Sequence, residues 1–163
     1  MVKYRRNFLP GGTFFFTVTL SDRTSTLLVT QIPILRAAFR TARAEHPFQI
    51  DAIVILPDHL HAIFTLPPGD ADFPQRWRRI KSAFTHGVRK SPIHLPRGPT
   101  GGYDLWQSRY WEHTIRNEQD FANHVAYIHN NPVKHGYVTT PTAWPHSSIH
   151  HHIRQNLSKN KMS

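Results

Sequence analysis

The chain predicts an α+β fold: a ferredoxin-like central antiparallel sheet with helices packed mainly on one face. Three observations carry this. "TFFFTVTL" (13–20) places Phe14, Phe16, Val18 and Leu20 on one parity, as a strand with a buried face does. "QIDAIVIL" and "HLHAIFTL" (49–66) are two apolar runs joined at Pro57-Asp58, which reads as a hairpin. Residues 30–46 and 74–90 repeat apolar positions at helical spacing, so helices alternate with the strands.

The elements follow in order. Residues 1–12 form a basic arm with Lys3, Arg5 and Arg6, ending in the turn Pro10-Gly11-Gly12. After the first strand, Leu35, Ala38, Phe39 and Ala42 form a helical stripe, with Thr30 as its N-cap and Pro47 as its stop. The hairpin comes next, then the loop "PPGDADFP". Pro74 opens a helix with Trp77, Ile80, Phe84 and Val88 on one stripe. Its other sides carry Arg76, Arg78, Arg79, Arg89 and Lys90, with no acid between 76 and 90. Residues 91–108 are a Pro- and Gly-rich loop, and "RYWEHTIR" (109–116) is a short strand. Asn117 caps a last helix, with Glu118 and Asp120 at its positive end, and Pro132 ends it near Asn130. Residues 1–149 make one domain, and 150–163 a polar, flexible tail.

Composition narrows the function. The chain has 163 residues, 20 Lys and Arg against 10 Asp and Glu, and a formal charge of +10. That balance favours an anionic partner, nucleic acid or a membrane surface. Without cysteine there is neither a disulfide nor a thiolate metal site, which suits a reducing cytoplasm. The apolar runs fall far short of the roughly 20 residues of a membrane helix. There is no P-loop, so no nucleotide cofactor is expected.

The chemistry concentrates in two stretches. In "LPDHLHAIF", Leu60, Ala62 and Phe64 take the buried parity of the strand, leaving His59 and His61 together on the other. Side chains at i and i+2 share a face roughly 7 Å apart, and two imidazoles there can converge on a metal. With 13 histidines in the chain, the pair alone is equally compatible with two surface rings. In "NHVAYIHNNPVKHG", Phe121, Val125 and Ile128 form the buried stripe. Tyr127 lies about 120° off it at about 100° per residue, with Asn123 and Asn131 one turn to either side. That placement suits chemistry, but also a solvated edge-of-core tyrosine and a helix C-cap asparagine.

"LPDHLHAIFTLP" followed by "YIHNNPVKHGYV" resembles the REP-associated tyrosine transposases, relatives of the single-tyrosine HUH transposases of small bacterial insertion sequences. "PGGTFFFTVTL", "RYWEHTIRNEQDF" and "AWPHSS" are similar to blocks of the same family, so the resemblance spans residues 3–149. It implies that His59 and His61 bind a divalent ion (Mg²⁺ or Mn²⁺), that Asn131 is a third ligand and that Tyr127 is the nucleophile. It also implies single-stranded DNA beside a hairpin as substrate, a 5′-phosphotyrosine intermediate, and a monomer or a helix-exchanging homodimer. The family motif carries Asn before the first histidine; here it is Asp58, a modulator of the metal or a turn residue. Arg97 and Arg109, with the basic arm and helix, would grip phosphates, and Tyr103, Trp106 and Tyr110 are candidates to stack on bases. Trp111 is expected in the core. The competing readings are a water-using metal nuclease and a non-catalytic hairpin-binding regulator; Ile63 stands where a histidine-triad hydrolase would need a further histidine.

Overall fold

The computed structural model describes residues 6–162. Four strands, β1 (Thr13–Thr19), β2 (Gln49–Ile55), β3 (His59–Thr65) and β4 (Trp111–Thr114), form one antiparallel sheet in the order β2-β3-β1-β4. The helices are α1 (Leu27–Thr30), α2 (Ile32–Glu45), α3 (Phe73–Arg89), α4 (Glu118–Lys134) and α5 (Ile149–Lys161), with a short 3₁₀ turn at Pro141–Ala143. Among the described residues no helix is long and apolar enough to cross a membrane.

The two faces of the sheet are built differently. Phe14, Phe16, Val18, Leu60, Ala62 and Phe64 are wholly buried against α2 and α3, which form the larger layer. Trp77 stacks on Phe64 at 4.7 Å between ring centroids and meets Phe16 edge-on, contacts that reinforce the burial of these large rings. Where α2 and α3 cross, Gly87 has no room for a side chain: a Cβ there would lie 2.5 Å from Ile34 Cγ2. The opposite parity is also covered. Phe15, Ala52, Val54 and Ile63 pack with Ile128 of α4, so a smaller helical layer closes the second face. His59 and His61 lie on this second face, paired in register with Thr19 and Thr17 of β1.

Four local expectations need correction. Thr30 ends α1 and does not cap α2; Gln31 precedes α2 without a side-chain cap bond. Pro132 lies inside α4, which runs on to Lys134. Proline removes only one donor, and at this position the helix is about to end anyway. Gly136, at φ +76°, then closes it, with its N–H on Val133 O. Residues 149–161 are helix α5, an element absent from the expectation of a polar, flexible tail over 150–163. Just before it, Ile55 N–H donates to His146 O and Ser148 N–H to Ile53 O, which covers the free edge of β2. Finally, Trp111 is 56% exposed, because β4 is the sheet's outer strand.

Candidate active site

β3 presents both histidines with their rings fixed. Asp58, in the turn before the strand, accepts from His59 Nδ1 at 2.8 Å and from Arg23 Nε at 2.6 Å. His61 Nδ1 is 2.8 Å from Thr17 Oγ1, across the β1–β3 ladder. With each Nδ1 engaged, Nε2 is the atom left on each ring to act as a ligand. The two rings sit 5.0 Å apart, edge to face, and both residues are buried. Burial, then the neighbouring His59, His135 and Lys134, pushes the His61 pKa down to about 3. That ring is therefore neutral at physiological pH, the form that ligates. For Asp58, burial opposes ionisation, but the hydrogen bonds from Arg23 and His59 outweigh it and hold the carboxyl below the usual range.

α4 brings the second stretch to the same place. Asn117 Oδ1 accepts from Asp120 N–H and starts the helix, and the Ile128 side anchors it to the sheet. Tyr127 is 40% exposed. Its ring meets His61 edge-on at 5.3 Å and Phe15 at 5.8 Å. Lys134 Nζ lies 5.1 Å from the centre of the same ring. Asn131, one turn on, is almost wholly buried, yet among the described residues neither atom of its amide has a hydrogen-bond partner. An orphaned buried amide is costly, and an amide oxygen is a suitable third donor in a set with two imidazoles. The donor set of His59, His61 and Asn131 thus fits a divalent cation. Asn123 instead accepts from Gln119, away from this group.

The basic residues divide. Lys3 and Arg5 lie outside the described residues. Arg76, expected on a phosphate-gripping face, is 3% exposed. Its guanidinium forks onto Asp70 at 2.7 and 2.8 Å and also donates to Pro47 O, Asp72 O and His46 O, so it staples the loop before α3. Arg79 forms a two-point pair with Glu45. Arg6 lies over the Tyr110 ring and 3.7 Å from Glu112. Arg78, Arg89, Lys90, Arg97 and Arg109 are exposed. Arg89 and Arg97 sit over Tyr103, 4.5 and 4.3 Å from its ring centre, which occupies the ring expected to stack on a base. Trp106 and Tyr110 pack edge-on against core Phe84 and Phe16.

Two positioning groups escape a reading of the sequence. Thr17 has a signal, since its parity on β1 is that of the second face. Arg23 has none, because its contact with Asp58 is made by loops that meet only in the fold.

Comparison with known proteins places this geometry. The sequence profile of the family described as Transposase IS200 like matches residues 15–131, a span that includes His59, His61, Tyr127 and Asn131. A REP-associated tyrosine transposase of Escherichia coli (strain K12) is 46% identical over 157 residues, covering 96% of this chain and 88% of that protein. A putative REP-associated tyrosine transposase of Haemophilus influenzae is 40% identical over 159 residues, covering 96% and 90%. Among solved structures, that of a REP-associated tyrosine transposase bound to a REP hairpin superposes with a TM-score of 0.86 at 46% identity, covering 96% of this chain and 88% of the other. A putative transposase from Deinococcus radiodurans shares the fold, with a TM-score of 0.52 at 21% identity over 79% of this chain and 97% of its own.

Proposed function

Since the chain belongs to the IS200-like transposase family, in its REP-associated tyrosine transposase branch, we propose that it cuts and rejoins single-stranded DNA beside a REP hairpin through a 5′-phosphotyrosine intermediate. It is an enzyme of the tyrosine transposase class. The observation that carries the finer reading is the contact of Tyr127 with His61, 5.3 Å between ring centroids within one chain.

His59, His61 and Asn131 would hold the divalent ion, Mg²⁺ or Mn²⁺, whose charge polarises the scissile phosphate and eases departure of the 3′ oxygen. Tyr127 Oη attacks phosphorus. The P–O3′ bond breaks, the 5′ end stays on the tyrosine, and the 3′ oxygen leaves as a hydroxyl with a proton from solvent while the phenol gives its proton up. Lys134 Nζ, 5.1 Å from the ring centre, puts positive charge over the ring that becomes nucleophilic. Phe15 and His61 hold the ring edge-on. Attack by a different 3′-hydroxyl reverses the step and joins strands. The phosphodiester energy is kept in the tyrosine link, so no nucleotide is consumed.

Exposed Arg78, Arg89, Lys90, Arg97 and Arg109 are the cations we assign to the DNA backbone. The catalytic unit is residues 1–149. A single chain holding both Tyr127 and the histidine pair favours a monomer as the active species, working on DNA in the cytoplasm. The test is a hairpin-flanked single strand incubated with Mg²⁺ or Mn²⁺. The reading predicts cleavage that EDTA abolishes and that a fully duplex control does not undergo; cleavage undiminished in EDTA contradicts the metal assignment.

A further inference from the structure

A second group of ligating side chains lies apart from the histidine pair, between β4 and the first turns of α4. His113 Nε2 is 2.9 Å from Asp120 Oδ2, and His124 Nδ1 is 3.2 Å from Asp120 Oδ1. The two imidazoles stack at 4.6 Å with their planes 17° apart. His113 Nε2 hydrogen-bonds the carboxylate, whereas His124 Nδ1 hydrogen-bonds the main-chain O of Asp120 at 2.8 Å, with the carboxylate close by. One donor atom from each of the three residues lies within 4.8 Å of the other two. All three are half-buried.

We propose that His113, Asp120 and His124 form a second metal site, for a transition metal of the Zn²⁺ class, that ties α4 to β4. Two imidazoles and one carboxylate are a donor set that zinc takes with water as its fourth ligand. A tetrahedron with bonds of about 2.0–2.1 Å has edges of about 3.3 Å; one donor atom from each residue already lies within 4.8 Å of the other two, so the three draw together to take an ion. The carboxylate is ready for the role: hydrogen bonds from His113 and from Arg116 N–H hold its pKa below the usual range. The set differs in kind from the catalytic group. It adds a carboxylate to its two imidazoles where the catalytic group has the amide of Asn131, and imidazole donors suit a borderline-soft divalent ion better than Mg²⁺.

The consequence concerns the tyrosine helix. Asp120, His124, Tyr127 and Asn131 follow one another along one side of α4, and the His124 ring packs on Phe15 at 4.8 Å, the residue that also touches Tyr127. A metal joining His113 of the sheet to Asp120 and His124 fixes the helix that carries Tyr127 against the strand pair β1–β4.

The experiment uses the full chain with His59→Ala and His61→Ala, which removes the histidines of the catalytic group. Zn²⁺ is titrated in competition with a chromophoric chelator, and melting is followed with and without Zn²⁺. The proposal predicts one equivalent bound and a higher Tm with zinc. Adding either His113→Gln or His124→Gln weakens binding at least tenfold and removes the rise in Tm. His124 is partly exposed, so its variant serves if His113→Gln fails to fold. Absence of binding in the His59→Ala/His61→Ala chain overturns the proposal. So does binding that survives both glutamine substitutions, which would place the ion among the chain's other histidines.

Discussion

Asp58 Oδ1 lies 2.8 Å from His59 Nδ1, while its other oxygen takes Arg23 Nε at 2.6 Å. The carboxylate therefore sets the ring's orientation and its tautomer, with the proton on Nδ1 and the lone pair on Nε2. Carboxylates in this position typically strengthen metal binding by 10–100-fold. Asp58→Asn is expected to weaken Mn²⁺ binding by about that factor, with the circular dichroism spectrum unchanged. Calorimetric titration with Mn²⁺ checks it; unchanged affinity would make Asp58 a turn residue only.

Asn131 gives a prediction with opposite signs. Its buried amide has no hydrogen-bond partner among the described residues, and leaving such a group unsatisfied costs about 1–3 kcal/mol. Asn131→Leu is expected to stabilise the metal-free protein by up to that amount, seen as a higher Tm in EDTA, and to weaken Mn²⁺ binding. A variant that is destabilised in EDTA would show that the amide has a structural partner instead.

Two neighbouring arginines should separate fold from function. Arg76 is buried in a forked pair with Asp70, itself partly exposed. Arg76→Leu is expected to cost stability near the lower end of the roughly 3–5 kcal/mol seen on breaking buried pairs. Arg78 is exposed, so Arg78→Ala should change stability by no more than about 0.5 kcal/mol. It should instead lower the slope of DNA affinity against salt by about 1. Urea unfolding and binding at several salt concentrations test both.

The protein without metal should lose stability as the pH falls from neutral. Burial pushes His61 to about 3 and His129 to about 4, against about 6.5 in the unfolded chain. Between those limits the unfolded chain binds protons that the native state refuses. Stability is therefore full above about pH 6.5 and declines below it, by at most about 1.4 kcal/mol per pH unit for each ring. Urea unfolding in EDTA from pH 7.5 to 4.5 measures this, and His129→Gln should flatten the slope. A pH-independent midpoint would contradict it.

What could be read from the residues was whatever is local and periodic. The parity of β1 and β3, the Pro57-Asp58 turn and the Trp77–Val88 stripe each follow from spacing over a few residues, and the fold carries them as written. The pairing of "HLH" with "YIHNN" is not local, and only resemblance to a family linked the two. Other features depended on tertiary context. Phe15 lies on the parity opposite Phe14 and Phe16, so the cover that α4 gives the second face was invisible until the helix was placed. Arg76 shares a helix with exposed Arg78, and only the position of Asp70 and of the Pro47 carbonyl turns one inward. Trp111, set between alternating polar residues, is expected in the core, but an outer strand leaves it in solvent. Helix α5 has little apolar content to betray it, and the contacts of residues 146–148 with β2 position its start.

Everything proposed for this site turns on Tyr127 Oη forming the covalent bond to the 5′ phosphate. The most direct measurement traps the reaction on a hairpin-flanked single strand with Mn²⁺, digests the protein and maps the adduct by mass spectrometry. The account predicts a nucleotide phosphate on the peptide that contains Tyr127, and with Tyr127→Phe neither adduct nor cleavage while hairpin binding persists. Cleavage by Tyr127→Phe at the wild-type rate, or an adduct on another residue, would contradict it.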